Sequence, residues 1–241
     1  MVKTIMAFAI TVLTIILFTP FGIFFIILYF IGLKKPTSWM IYKIGQNWAR
    51  IIIWVTGCTM DIVGLENIPP KGGVCFVSNH AGIFDIIIAL AYAGRPFGFI
   101  AKKELLYVPF IDIWIYMLGG LFIDRKNIRK AKRTIDLGIH KLQKGSSMLI
   151  FPEGTRSKGQ GLLPFRSGAI KLATNSLAPI VPIAITGSYE VFEKDYRVHG
   201  VPVRVVFCPI INTSEMSGED RRHLLPDQVR SVIENALNRQ S

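Results

Sequence analysis

The run Asn79-His80-Ala81-Gly82-Ile83-Phe84-Asp85 sets a histidine five positions ahead of an aspartate. A neutral imidazole accepts a proton near neutral pH, and a carboxylate on its other ring nitrogen fixes the tautomer and steadies the imidazolium. The chain has no GxSxG elbow and no recognisable cysteine–histidine pair to supply a covalent nucleophile. A base at His80 would therefore work directly on a substrate hydroxyl. Taken alone, the spacing favours a structural histidine beside a helix-capping aspartate, so the other motifs must decide.

Three further runs carry cations. Lys102 and Lys103 follow the apolar stretch 97–101, Arg125 ends Gly119-Gly120-Leu121-Phe122-Ile123-Asp124-Arg125, and Arg156 lies in Phe151-Pro152-Glu153-Gly154-Thr155-Arg156-Ser157. An arginine just past a strand end grips a phosphate bidentately, and Gly154 lets backbone N–H groups approach an anion. Any one of these cations is most simply a solvated surface charge. Three strand ends delivering them toward one crevice point to a phosphorylated ligand. Metal chemistry has little support, because the four histidines are scattered and Cys58, Cys75 and Cys208 form no cluster. Three unclustered cysteines also argue against a disulfide framework and for a reducing compartment.

Positioning those residues requires strands that end where the motifs begin. Residues 73–78, 97–101, 120–124, 147–151, 180–185 and 202–208 read as strands, and 84–93, 108–118, 127–143, 167–176 and 219–239 as helices. Such alternation predicts an α/β fold, a mostly parallel β-sheet flanked by helices, with ligands bound beyond the carboxyl ends of the strands.

The first 60 residues are of another kind. Thr4 to Leu33 is 30 residues without a charge, and no acidic residue precedes Asp61, in a chain of 241 residues with net charge +12 and 51% hydrophobic residues. The stretch exceeds the roughly 20 residues needed to cross a bilayer core. Pro20, in Thr19-Pro20-Phe21-Gly22, suggests a kink or turn, leaving a tilted crossing and a hairpin held in one leaflet as the two readings. Residues 37–57 carry one polar stripe, Lys43, Gln46, Asn47 and Arg50, among Trp39, Tyr42, Trp48 and Trp54, the pattern of a helix lying in the membrane interface, with a core-packed helix as the alternative. We expect an anchoring segment over 1–58 and a catalytic domain over 59–241, with the body of the protein on the cytoplasmic side of the membrane by the positive-inside bias. The basic charge alone would also suit nucleic acid, but no recognition module is present, so no nucleic-acid partner is expected.

His80 with Asp85, the run 119–125, Phe151–Ser157 and Val181-Pro182-Ile183 resemble, in order and spacing, the four blocks of the glycerolipid acyltransferase family, notably bacterial 1-acylglycerol-3-phosphate acyltransferases of the PlsC type. The resemblance covers about residues 60–210 and implies acyl transfer from a thioester to the sn-2 hydroxyl of lysophosphatidate, giving phosphatidate. It makes His80 the general base and Asp85 its orienting carboxylate, with no covalent acyl-enzyme. Arg125, Arg156 and one of Lys102 or Lys103 would hold the acceptor phosphate, Glu153 and Gly154, with Thr155 beside them, would line the glycerol end, and Val181, Pro182 and Ile183 would shape the acyl-donor side. No metal or cofactor is implied; the co-substrate is an acyl carrier protein or coenzyme A thioester, and the remaining partners are membrane phospholipids. Ala81-Gly82 departs from the Gln-Ser that many members carry after the histidine. Glycerol 3-phosphate or another lysophospholipid is the alternative acceptor. A thioesterase or a non-catalytic phospholipid-binding protein would be the alternative function.

Overall fold

Cys75 and Val77 face one side of a strand and Phe76 the other, and each side meets its own layer of helices. In the computed structural model, which describes residues 1–239, this strand lies at the centre of a seven-stranded sheet. Gln240 and Ser241, the end of the expected catalytic domain, lie outside the described residues. The strands are β1 (Thr59–Val63), β2 (Cys75–Ser78), β3 (Phe97–Lys102), β4 (Leu121–Ile123), β5 (Ser147–Ile150), β6 (Ile180–Thr186) and β7 (Pro202–Phe207). Their order is β1-β7-β6-β2-β5-β3-β4, and every neighbouring pair is parallel except β6 with β7. The mixed α/β fold with a mostly parallel sheet is the one the alternation predicted. From β6 to β4 the strands run the same way, so their carboxyl ends, where the motifs sit, share one edge.

The helices are α1 (Val2–Phe30), α2 (Lys34–Thr56), α3 (Phe84–Tyr92), α4 (Ile111–Met117), α5 (Ile128–Gln143), α6 (Ser167–Ser176), α7 (Gly218–His223) and α8 (Leu225–Asn238). On one face of the sheet Phe76, Leu149 and Ile183 pack against Tyr42, Ala49 and Ile88 of α2 and α3. On the other, Val77, Met148 and Ile180 pack against Ile135, Leu172 and Val229 of α5, α6 and α8. Strands buried on both faces read as continuous apolar runs, and β2 and β5 do.

Four sequence expectations change. β1 was not anticipated; it is an edge strand with alternating exposure, five residues long and containing Asp61. The expected helix 219–239 is two helices that meet at Leu224, where Pro226 occupies the first turn of α8. Pro20 neither ends nor turns the N-terminal helix: α1 runs through it unbroken, and the chain reverses at Gly32, whose φ is +109°. In apolar surroundings a break would expose several backbone polar groups, which costs more than the one hydrogen bond a proline removes. Finally, α2 is packed into the core along one face, where Tyr42, Ala49, Ile52 and Ile53 are buried, while Trp39 and Trp54 stay exposed. Gln46, expected in the polar stripe, is buried and donates to the Ala91 carbonyl at the end of α3 (3.0 Å) and to the Tyr42 hydroxyl (3.0 Å).

Candidate active site

Beyond Ser78 the chain leaves β2 and is fixed at once. The Asn79 amide donates to the Ile185 carbonyl (2.9 Å) and accepts from the Ile185 N–H (2.8 Å), locking the loop to β6. The next residue, His80, places Nδ1 2.8 Å from Asp85 Oδ2. Asp85 stands in the first turn of α3, wholly buried, and the same oxygen accepts from the Gly82 N–H (2.9 Å). Its Oδ1 is buried with no hydrogen-bond partner among the described residues, so the carboxylate is answered chiefly through His80 and Gly82. A proton assigned to Nδ1 by this contact leaves the Nε2 lone pair free. The ring stacks on Phe151, centroids 4.0 Å apart and planes 19° apart, and keeps 14% of its surface exposed. A carboxylate behind Nδ1 that sets the tautomer is an arrangement compatible with a general base.

The 151–157 loop supports this histidine by its backbone. Glu153 is 1% exposed, with Oε1 accepting from the His80 N–H (2.6 Å) and Oε2 from the Leu163 N–H (2.9 Å). Burial pushes the Glu153 carboxyl above its ordinary range, and the two N–H donors offset part of that rise. The Ser157 N–H donates to the His80 carbonyl (2.7 Å) and the Lys158 N–H to that of Ala81 (3.1 Å). Glu153, expected at the glycerol end, has both oxygens committed to the backbone and fastens the loops to each other instead. Gly154 has φ +66°, and a Cβ there would lie 2.8 Å from Arg166 Cδ, so the glycine gives Arg166 its path.

The cations divide by whether an acid already answers them. Lys103 donates to Asp124 (2.8 Å), which raises the lysine pKa and holds the Asp124 carboxyl low. Lys102 points outward and pairs loosely with Glu104 at 3.5 Å. Arg156 is bonded to Glu193. Among the described residues Arg125 has no ion pair; partial desolvation, and then the like charge of Arg166, lower its guanidinium pKa. Two guanidiniums held near each other call for an anion. Arg166 escaped the sequence reading, although a cation directly before the expected helix 167–176 was a usable sign. Glu193 left no local signal, lying in the loop after β6 beyond the motifs. Thr155 is exposed at the loop tip. Val181, Pro182 and Ile183, expected to shape the donor side, are enclosed in β6, where Ile183 pairs with Ser78; they reach the site only through the strand they build. No group of three or more possible metal ligands occurs among the described residues. A hollow of about 710 Å³ between α6 and α8, lined by Phe165, Lys171, Arg222 and Arg230, includes none of the residues predicted for the site. The chemistry sits at the strand edge, and we place the site there.

A protein-family model described as Acyltransferase matches residues 59–186. A 1-acyl-sn-glycerol-3-phosphate acyltransferase of Borreliella burgdorferi is 31% identical over 189 residues, covering 77% of this chain and 76% of that protein. The enzyme of the same name from Escherichia coli is 34% identical over 167 residues, covering 69% and 67%. Among solved structures, the 1-acyl-sn-glycerophosphate acyltransferase PlsC of Thermotoga maritima superimposes with TM-score 0.80 over 99% of this chain and 97% of its own, at 23% identity. At that identity the likeness speaks to the fold.

Proposed function

The chain belongs to the acyltransferase family, and from that premise we propose that it acylates the sn-2 hydroxyl of lysophosphatidate at a membrane surface, with His80 as general base. The observation carrying this reading is the His80–Asp85 pair, 2.8 Å apart, at a strand edge that also bears Arg125, Arg156 and Arg166. The relatives' names give the acceptor.

In the step, His80 Nε2 takes the hydroxyl proton as the oxygen attacks the thioester carbonyl carbon. The tetrahedral intermediate collapses by breaking the C–S bond, and the departing thiolate takes the proton from the imidazolium, leaving an ester and a free thiol. Asp85 steadies the imidazolium between these transfers. Such a base is worth roughly 10²–10⁴-fold, with positioning supplying much of the rest. Arg125, Arg156 and Arg166 hold the phosphate. An acyl carrier protein or coenzyme A carries the donor chain, and neither a metal nor an acyl-enzyme enters the proposed step.

Residues 1–58 serve as the anchor and 59–241 as the catalytic part, with α2 shared between them through the core. α1 is tied to the body near its start and at its middle: Thr4 Oγ1 accepts from the Val198 N–H (3.0 Å), and Trp114 Nε1 donates to Thr19 Oγ1 (3.0 Å). The unbroken α1 removes the hairpin at Pro20 and leaves a single apolar helix fastened to the domain as the membrane anchor, with the catalytic part on the cytoplasmic face of the inner membrane. The anchor also has an energetic reason. Drawing a 15-methylene chain fully into water would cost about 12 kcal/mol at ~0.8 kcal/mol per CH₂, and an enzyme seated at the interface avoids it.

Transfer from a thioester to lysophosphatidate in mixed micelles, wild type against His80→Ala, is the test. Phosphatidate from wild type and a loss of at least roughly 10²-fold in a folded variant is expected. Near-normal turnover by the variant would remove His80 from its role, and free fatty acid in place of phosphatidate would indicate a thioesterase.

A further inference from the structure

Glu193 touches the site from a loop that no motif covers. It lies between β6 and β7, its side chain is only 12% exposed, and its two oxygens are divided. One is bonded to Arg156; the other accepts the Ile83 N–H at 2.5 Å, immediately before the helix that carries Asp85. Its entry depends on Gly82, where an added Cβ would lie 2.8 Å from Glu193 Oε2 and 3.2 Å from Tyr189 Cα. A carboxylate therefore occupies, from inside the protein, the guanidinium that the acceptor's phosphate needs.

We propose that Glu193 sets the acceptor's headgroup class, by making a phosphomonoester the only acceptor that gains by engaging Arg156; the inference rests on the acyl-transfer reading above. A phosphomonoester carries close to two negative charges near neutral pH and three strong acceptor oxygens, so it outbids a single carboxylate for a guanidinium. A phosphodiester carries one charge and gains little by the exchange. A neutral glyceride gains nothing. Glu193 acts through Arg156, as a positioning residue that favours lysophosphatidate over lysophospholipids bearing a diester headgroup. Specificity of this kind comes from an internal competitor as much as from attraction to the right ligand.

Glu193→Gln is the direct probe, because the amide oxygen still accepts from Ile83 while the charge is lost. The full-length protein in mixed micelles is assayed with lysophosphatidate and with lysophosphatidylglycerol. The ratio of kcat/KM between them is expected to fall about tenfold or more, through gain on the diester, with the KM for lysophosphatidate unchanged or lower. Gly82→Ala, which crowds the carboxylate without removing it, moves the ratio the same way. In an Arg156→Gln background Glu193→Gln has no further effect on the ratio. An unchanged ratio overturns the proposal, and so does an equal loss on both acceptors, the mark of a merely structural role. Equilibrium binding of the same two lipids to His80→Ala protein, with and without Glu193→Gln, reads the selectivity without turnover. Lysophosphatidate that binds selectively but is never acylated by wild type would overturn the reaction and leave the selectivity standing.

Discussion

His80 is held by its main chain as firmly as by its side chain. Its N–H goes to Glu153 and its carbonyl receives Ser157, so the backbone that carries the ring is fixed, while Asp85 and Phe151 orient the ring itself. Glu153 should thus matter for turnover without touching substrate. In Glu153→Gln one of the two N–H groups would face an amide NH₂ and lose its acceptor, costing about 1–3 kcal/mol. We expect a lower Tm and a fall in kcat that exceeds any rise in KM for lysophosphatidate, measured by thermal melts and steady-state kinetics. An unaltered kcat would return Glu153 to ordinary packing. The pH dependence has a definite sign. Burial raises the Glu153 carboxyl above its ordinary value, so the charged group costs stability at neutral pH, and this cost is relieved as pH falls through the raised pKa. Protonation there nonetheless removes an acceptor from the loop, so activity should decline reversibly in acid ahead of unfolding.

At the scale of an element, α5 has the clearest division of labour. Asn127 caps it, accepting from the Lys130 N–H at 3.0 Å, and Ile135, Gly138 and Leu142 face the core. Gly138 is small because a Cβ there would lie 2.6 Å from Leu172 Cδ1, and that contact lets α5 and α6 pack closely. Lys126, Arg129, Lys130, Lys132 and Arg133 are exposed, with Ile128 85% exposed among them. Charge of one sign around an apolar residue suits an acidic carrier protein, and steering of this type fades with salt. Reversing Lys126, Arg129, Lys130 and Arg133 to glutamate should raise the KM for a carrier-protein donor about tenfold at low salt, with the difference closing as salt rises. Equal KM values for wild type and variant across the salt series would mark α5 as a plain solvated face.

The whole molecule is a catalytic sheet with a helical hairpin laid along it. Ala7, Ile15, Thr19 and Gly22 recur at helical spacing on the buried side of α1, and Gly22 admits Met117, whose Cε would be 2.6 Å from a Cβ at that position. Phe8, Leu13, Leu17, Phe21 and Phe24 are exposed. Inside the helix Thr11, Thr14 and Thr19 return their hydroxyls to backbone carbonyls at 2.7, 2.6 and 2.6 Å, as polar groups in an apolar setting must. Its 29 residues make a rod of about 43 Å, longer than the roughly 30 Å hydrocarbon core. Replacing Phe8, Phe21 and Phe24 by serine should lower the fraction that floats with anionic vesicles, while the melting transition of the body is kept. Undiminished flotation would place membrane contact elsewhere.

Much of this protein is written locally. His80, Asp85 and the cations after 97–101, 119–124 and 147–151 could be named because each motif follows an apolar strand-forming run. The sheet type followed because those runs alternate with helical periodicity. The long uncharged stretch 4–33 marked off an apolar segment, most of it the helix α1, by composition alone. What only tertiary structure decided are facts about partners distant in sequence. Glu153 meets His80 across 73 positions, Glu193 meets Arg156 across 37, and Arg166 reaches the site over Gly154. No local pattern distinguishes a carboxylate that lines a substrate from one that staples two loops. Pro20 is the reverse case: a residue that breaks helices stayed within one whose Thr19 and Gly22, on either side of it, pack against Trp114 and Met117.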